Sequence, residues 1–445
     1  MHIVIVGGGE IGFAVAQALL SEHEVVVIDS AADVGRRFEP IDVQFVLGSA
    51  TSSDVLNRAG VSRADVLVAC TGHDEVNIVA CGIARHLGSP RTFCFVSAEE
   101  FLSLQDEQGL SLFGIDHIMW PEAQLAADIE RIIREPGAID AEDFAGGAVR
   151  LVEYRLDEGT PLSGRRVANL HLPHGSLVVA VRRGESFFIP RGDSELVPGD
   201  RPVLMGTPDA LQQIRQQLAQ SGDMQRQRVT IIGGGDVGLR VAERLEANGV
   251  FDVTIIERER ERGELLASRL RHTLVLNGDG TDLELLESED IRRTDVLVSV
   301  IDNDERNLFA SLLGRQLGVK RIITRVGKRA NLRLFERVGI DIPISARGAA
   351  VASVLHQIQG GAARLLAVIE QGAGRILEID VPDDYQPRAL REIAAPRDSI
   401  VGAIQRPGSV IVPRGNDLVQ PGDRLIVFST ESAAARVRDF FTTTA

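Results

Sequence analysis

The chain has 445 residues, a length that suggests about three domains, and its 44% hydrophobic and 25% charged residues exclude a disordered or fibrous protein. A formal net charge of -15 disfavours a nucleic-acid partner or an anionic membrane surface, because phosphates would be repelled. An aromatic content of 4% disfavours a base-stacking platform for single-stranded nucleic acid.

In chain order, the first apolar run at 2–6 is strand-like and leads straight into glycines, so no signal peptide is expected. Continuous apolar runs follow at 25–28, 43–47, 66–69 and 93–96, as strands buried on both faces require. Helically spaced apolar residues lie between them, including Ala14, Leu19 and Leu20, then Ile78, Ile83 and Leu87. The βαβ alternation predicts a doubly wound parallel sheet over 1–136. A helical pattern from Gln124 to Arg134 joins it to the next unit and stops at Glu135-Pro136-Gly137.

Residues 137–222 carry shorter strands, such as 176–181 and 203–205, with Pro-Gly-Asp turns, and read as a small antiparallel α+β unit. Apolar stretches such as 177–181 fall far short of the ~20 residues of a spanning helix. A polar stretch at 221–227 separates the halves.

The second half repeats the first. Gly7-Gly8-Gly9-Glu10-Ile11-Gly12 recurs as Gly233-Gly234-Gly235-Asp236-Val237-Gly238, and Gly48-Ser49-Ala50-Thr51 as Gly278-Asp279-Gly280-Thr281. Asp65-Val66-Leu67-Val68 recurs as Asp295-Val296-Leu297-Val298, and Asp74, Glu75 and Asn77 as Asp304, Glu305 and Asn307. Pro190-Arg191-Gly192 with Pro198-Gly199-Asp200 recurs as Pro413-Arg414-Gly415 with Pro421-Gly422-Asp423. A second large unit at 226–345 and a second small one at 370–445 are therefore expected, joined by a less distinct connector from Gly348 to about Val368.

Each glycine loop follows a strand and opens a helix. Its glycines suit a tight turn, close approach of a pyrophosphate and close helix–strand packing, with the helix N-terminus facing the phosphates. Asp29 and Glu257 end the second strand of each unit, where a carboxylate accepts ribose hydroxyls and repels a 2′-phosphate. That favours NAD(H) or an adenine nucleotide over NADP(H). Arg325, ending the fifth strand of the second unit, can bind a phosphate bidentately, whereas the first unit has Phe95 there. Asp74 and Asp304 read as helix N-caps, and Asn77 and Asn307 as supports of the ligand loop.

No acid–base group suited to hydride chemistry stands out. His73 is the best placed, and its counterpart is Asn303. His171 and His174 flank Pro173, which prevents a helical pairing. Cys70, Cys81 and Cys94 lack metal or redox spacing and read as small core residues. Neither a catalytic nor a metal-ligating residue is assigned.

The glycine loops, the acid ending strand two, the Gly-Asp-x-Thr turn and the Asp-Glu-x-Asn helix start together resemble the regulator-of-potassium-conductance (RCK, or KTN) family. The Pro-Gly-Asp units resemble that family's C-terminal subdomain. Two such pairs in one chain are similar to the peripheral cytoplasmic subunits of Trk potassium uptake systems, over nearly the whole length. The resemblance implies NAD(H) or ATP/ADP bound without turnover. It also implies a homo-oligomeric ring, a tetramer, on the inner face of the membrane against a TrkH- or TrkG-like channel subunit, whose opening follows ligand exchange. It implies nucleotide contacts from Gly7, Gly8, Gly9, Glu10, Ile11, Gly12, Asp29, Thr51 and Thr71 in the first half. In the second they come from Gly233, Gly235, Asp236, Val237, Gly238, Glu257, Asp279 and Arg325. Ser49 and Phe95 depart from the family's Asp and Arg, so the second site is the more complete by motif. Two alternatives stay open: an NAD-dependent oxidoreductase, whose turnover would depend on His73, and a regulator of a different ion transporter, identified by whichever membrane protein co-purifies.

Overall fold

All five residues of β1 (His2–Val6) are buried, as they must be in a strand covered by helices on both faces. In the computed structural model, the first large unit continues through α1 (Glu10–Leu19), β2 (Glu24–Asp29), α2 (Ala32–Gly35), β3 (Gln44–Leu47), α3 (Ser53–Arg58) and β4 (Val66–Ala69). It ends with α4 (Asp74–Leu87), β5 (Arg91–Phe95), α5 (Glu107–Leu112), β6 (His117–Met119) and α6 (Pro121–Arg134). The structure describes all residues except 21–22, 89–90, 99–100, 102–106, 136–137, 185, 219–225, 346–350, 352–353, 355–357, 359–362, 370–372 and 443–445.

The sheet is parallel, in the order β3-β2-β1-β4-β5-β6. Its direction of winding reverses between β1 and β4, which opens a crevice at the carboxyl ends of those strands. The apolar runs mark five of the six strands; the short edge strand β6 had no pattern of its own, and β5 begins two residues before its run.

The first small unit holds β7 (Ala138–Phe144), β8 (Val149–Tyr154), β9 (Arg165–Arg166), β10 (Ser176–Arg183), β11 (Ser186–Phe188), β12 (Glu195–Leu196), β13 (Arg201–Gly206) and α7 (Pro208–Leu218). Its main sheet is antiparallel, in the order β11-β10-β13-β8-β7. The Pro-Gly-Asp motif has a structural cause: Asp200 is fully buried and takes both ends of the Arg183 guanidinium at 2.8 Å, plus the Val197 amide. Asp423 repeats this with Arg406 and the Gln420 amide.

The second large unit runs through β14 (Gln227–Ile232), α8 (Asp236–Asn248), β15 (Phe251–Glu257), α9 (Arg260–Arg269), β16 (Leu274–Asn277) and α10 (Leu283–Ser288). It closes with β17 (Val296–Ser299), α11 (Asp304–Gln316), β18 (Arg321–Arg325), α12 (Arg329–Arg337) and β19 (Ile342–Ile344). Its strand order, β16-β15-β14-β17-β18-β19, matches the first. The second small unit comprises β20 (Ala363–Ile369), β21 (Gly374–Asp380), β22 (Arg388–Ala389), β23 (Ser399–Arg406), β24 (Ser409–Ile411), β25 (Leu418–Val419), β26 (Arg424–Thr430) and α13 (Ala434–Thr442). Strand β20 occupies residues that the sequence assigned to the connector, because it pairs with β21 through six residue pairs across a bulge. Of the polar stretch at 221–227, residues 221–225 lie outside the described residues, and Gln227 already begins β14.

The connectors do more than join. α6 starts at Pro121, earlier than the pattern from Gln124, since proline at the first helical position gives up an amide that has no helical partner. It ends at Arg134; Pro136 and Gly137, which carried the expected stop, lie outside the described residues. Its apolar face does not return to its own sheet. Leu125, Ile129, Ile132 and Ile133 are buried with Val241, Leu245 and Val253 of the second half. Reciprocally, Val354 and Ile358 of the second connector are buried with Ile3, Val15 and Leu19 of the first. Each half thus covers the other's sheet. The small units also meet: Val149, Leu151 and Met205 pack with Ile376 and Phe428. Arg182 and Arg201 of the first small unit reach Glu336 on α12.

Candidate functional site

The two glycine loops have the same geometry. Gly7 and Gly233 adopt φ of +100° and +103°, a region that side chains avoid. A Cβ on Gly12 would stand 1.8 Å from the Gly7 carbonyl oxygen, and on Gly238 1.9 Å from that of Gly233, so α1 and α8 could not seat. Gly9 and Gly235 cap the helices and face open space, with no atom within 4 Å of an added Cβ. That vacancy of contact is the cradle an incoming phosphate needs.

The strand-ending carboxylates hold the loops. Asp29 accepts the Gly8 amide at 2.7 Å and the Ala31 amide at 2.8 Å. Glu257 accepts the Gly234 and Glu259 amides, both at 2.7 Å. Glu10 pairs with Arg37 at 3.1 Å, and Asp236 with Arg262 at 3.0 Å. Cys70 lies beneath the first loop, its thiol pushed up to about 12 by burial and by Asp29.

Asn77 and Asn307 are buried and fasten the loop after the fourth strand. The Asn77 Oδ1 accepts from the Thr71 amide and hydroxyl, and its Nδ2 donates to the Phe95 carbonyl at 2.9 Å. Asn307 does the same for the Ile301 amide and the Arg325 carbonyl. Asp74 and Asp304 are not N-caps; His73 and Asn303 hold those positions, and the Asn303 side chain accepts the Arg306 amide. The acids instead tether the loop after the fifth strand: Asp74 accepts the Ser97 and Ala98 amides, and Asp304 the Gly327 and Lys328 amides.

At the carboxyl end of the second sheet these elements enclose a cleft of about 540 Å³. Of the second-half residues singled out from the sequence, Gly233, Gly235, Asp236, Val237, Glu257 and Arg325 line it. Gly238 supports it from below. Asp279 reaches it through Arg306, whose Nη2 donates to both its carboxylate oxygens at 2.7 and 2.8 Å. Burial works against the Asp279 charge, but the Thr281 hydroxyl and amide and Arg306 hold its carboxyl below the usual range. In the first half, Thr71 adjoins the glycine loop, where a Cβ on Gly7 would lie 2.8 Å from its amide. Thr51 sits on the exposed turn after β3, hydrogen-bonded to Ser49.

Among the charged and polar residues of this cleft, sequence reasoning missed Arg258, Glu259, Arg262, Asp302 and Arg306 of the second half, and Ser97 and Glu122 of the first. Arg306 sits beside the flagged Asp304 and Asn307. The other half's residues gave no signal, because only the cross-packing of α6 brings them there. Glu122, in the first turn of α6, has its Oε2 buried with no hydrogen-bond partner among the described residues. Burial pushes its carboxyl up, Arg325 opposes this, and Asp236 and Asp74 add to it. Next to it, the Arg240 guanidinium of α8 lies 3.4 Å from the centre of the Trp120 ring, a further contact between halves. Among the described residues no cluster of His, Cys, Asp and Glu could hold a metal, and no helix is long and apolar enough to cross a membrane.

The TrkA-N domain model matches residues 3–121 and 229–346, and the TrkA-C domain model matches 151–219 and 377–442. The chain is 35% identical over 450 residues to the Trk system potassium uptake protein TrkA homolog 1 of Methanosarcina mazei, covering 99% of this chain and 100% of that one. It is 32% identical over 452 residues to the Trk system potassium uptake protein TrkA of Halomonas elongata, covering 99% and 97%. The GsuK RCK domain shares the fold, with a TM-score of 0.62 at 21% identity over 99% of this chain and 94% of that one. The GsuK channel bound to NAD gives the same score and identity over 99% and 78%. With both domain models present twice and relatives 35% and 32% identical along nearly the full length, the chain belongs to the TrkA family.

Proposed function

We propose that this chain is a nucleotide-binding regulatory subunit of a Trk-type potassium uptake system, one that binds NAD(H) or ATP/ADP without turning it over. The observation that carries this reading is a cleft walled by both halves: Ser97 and Glu122 of the first face the glycine loop of the second. A ligand seated there touches two bodies at once. Its affinity depends on how they stand to each other, which is the condition for a ligand to shift a conformational equilibrium. A coupling of about 1–3 kcal/mol is the usual scale. The loop amides and helix N-termini hold the phosphates, and Asp29 and Glu257 hold the ribose through lone pairs not used by the loop amides. Relatives named for Trk potassium uptake support the transport system, and the NAD-bound GsuK channel supports the ligand class. In this reading the chain forms a tetrameric ring on the cytoplasmic face of a TrkH- or TrkG-like membrane subunit.

Calorimetry with NADH and ATP on the full chain, together with potassium uptake in cells carrying the same variants, tests it. Asp29→Ala and Glu257→Ala each weaken binding and disturb uptake while the fold persists. Unchanged affinity in both variants removes the site assignment. Steady NADH turnover abolished by His73→Ala replaces regulation with catalysis.

A further inference from the structure

The halves share a fold but not the arginines around their glycine loops, which in the second cleft stand among the carboxylates of Glu122, Asp236, Glu257, Glu259 and Asp302. Equivalent hydrogen bonds set the register. Asn77 and Asn307 donate to the carbonyls of Phe95 and Arg325, so these two residues correspond. Val76 and Arg306 immediately precede those asparagines. Asp29 and Glu257 grip their loops alike, which aligns Ser30 with Arg258 and Val34 with Arg262. Arg258, Arg262, Arg306 and Arg325 all line the second cleft. Each stands as a neutral residue in the first half. The partner of Arg306 has gone with it: Asp279 is replaced by Ser49, whose hydroxyl bonds Thr51 as Asp279 bonds Thr281. Arg37 pairs with Glu10 on the rim of the first loop as Arg262 pairs with Asp236 in the second, so the arginines with no counterpart in the first half are Arg258, Arg306 and Arg325.

We propose that the two clefts take different ligands. The second binds an adenine nucleotide with a free terminal phosphate, ATP or ADP; the first binds a dinucleotide of the NAD(H) class. This rests on the nucleotide-binding reading above and assigns a ligand to each site. A terminal phosphate carries close to two charges and is well met by planar guanidinium donors, which the second cleft supplies from α11 and β18. In a dinucleotide each phosphate bridges two groups and carries one charge. Loop amides and a helix N-terminus meet that charge without a side-chain cation, and among the described residues they are what the first glycine loop and the start of α1 offer.

Calorimetry of the full chain with ATP and with NADH tests the assignment. The wild type takes one ATP per chain, and the ATP-saturated chain still takes one NADH. A variant carrying Arg306→Val and Arg325→Phe, which copies the first half's own residues, loses about ten-fold or more in ATP affinity and keeps one NADH. Two equivalent ATP sites, exclusion of NADH by ATP, or loss of NADH together with ATP from the double variant overturns the assignment. Failure of the wild type to bind any adenine ligand removes the nucleotide reading itself, a result distinct from all of these.

Discussion

The guanidinium of Arg321, at the start of β18, donates to the backbone carbonyl of Glu135 at 3.0 Å, so a strand of the second half closes a helix of the first. The same nitrogen reaches the carbonyls of Ile132 and Ala138. The last carbonyls of a helix have no partner within it and must find one elsewhere. Burial pushes Arg321 down to about 10, which leaves it charged at neutral pH. Arg321→Met is expected to destabilise the protein by about 2–3 kcal/mol. Denaturant unfolding followed by circular dichroism measures it, and an unmoved midpoint would show that the contact contributes nothing.

Glu122 makes nucleotide affinity depend on pH. Its carboxyl is raised from 4.5, chiefly by burial, and its negative form repels a phosphate in the second cleft. As pH falls toward the raised value the group takes up a proton, so ATP affinity in metal-free buffer rises. The ligand titrates too, so the informative quantity is the difference between the wild type and Glu122→Gln, which lacks this dependence. Identical pH profiles for the two would contradict the prediction.

Asp304 and Asp279 titrate in the opposite sense. Burial opposes the charge of both. The amides of Gly327 and Lys328 and the Asn331 side chain nonetheless hold Asp304 below its ordinary 3.8, as Thr281 and Arg306 do for Asp279. The stability they contribute is complete above the unfolded value and is lost as pH falls through the folded ones. Asp304→Asn is therefore expected to lower the melting temperature at neutral pH and to lose less on acidification than the wild type. Parallel melting curves against pH would refute this.

The glycine loop separates packing from recognition. Gly238→Ala forces a methyl to 1.9 Å from the Gly233 carbonyl oxygen and is expected to cost roughly 2–3 kcal/mol of stability. Gly235→Ala meets no atom within 4 Å and should leave stability within about 0.5 kcal/mol. Its methyl points into the cradle, so nucleotide affinity drops all the same. Full affinity in Gly235→Ala would mean that phosphates lie elsewhere.

What could be read in advance follows from where the information resides. Continuous apolar runs identify doubly covered strands, and positive-φ turns and close contacts demand the glycines of Gly7 and Gly12. Duplication then strengthens each reading. Periodicity also exposes an apolar stripe on α6, but a stripe does not name what covers it. That is why Glu122, Ser97 and the Trp120–Arg240 contact were not visible. Asp74 and Asp304 were misread for a related reason: an acid opening a helix suggests a cap, whereas the geometry turns each carboxylate across the sheet to the loop after the fifth strand.

The exchange of connectors makes this chain a fused pair, and fusion lifts a constraint. When two identical copies assemble, any substitution in one binding pocket appears in both, and a device that compares two metabolites cannot be built from them. Here each glycine loop and its arginines answer to their own stretch of gene while the cross-braced helices keep the pair from parting. Arginines can accumulate around one loop and be absent from the other, and under the proposed assignment a single polypeptide then weighs two signals against each other.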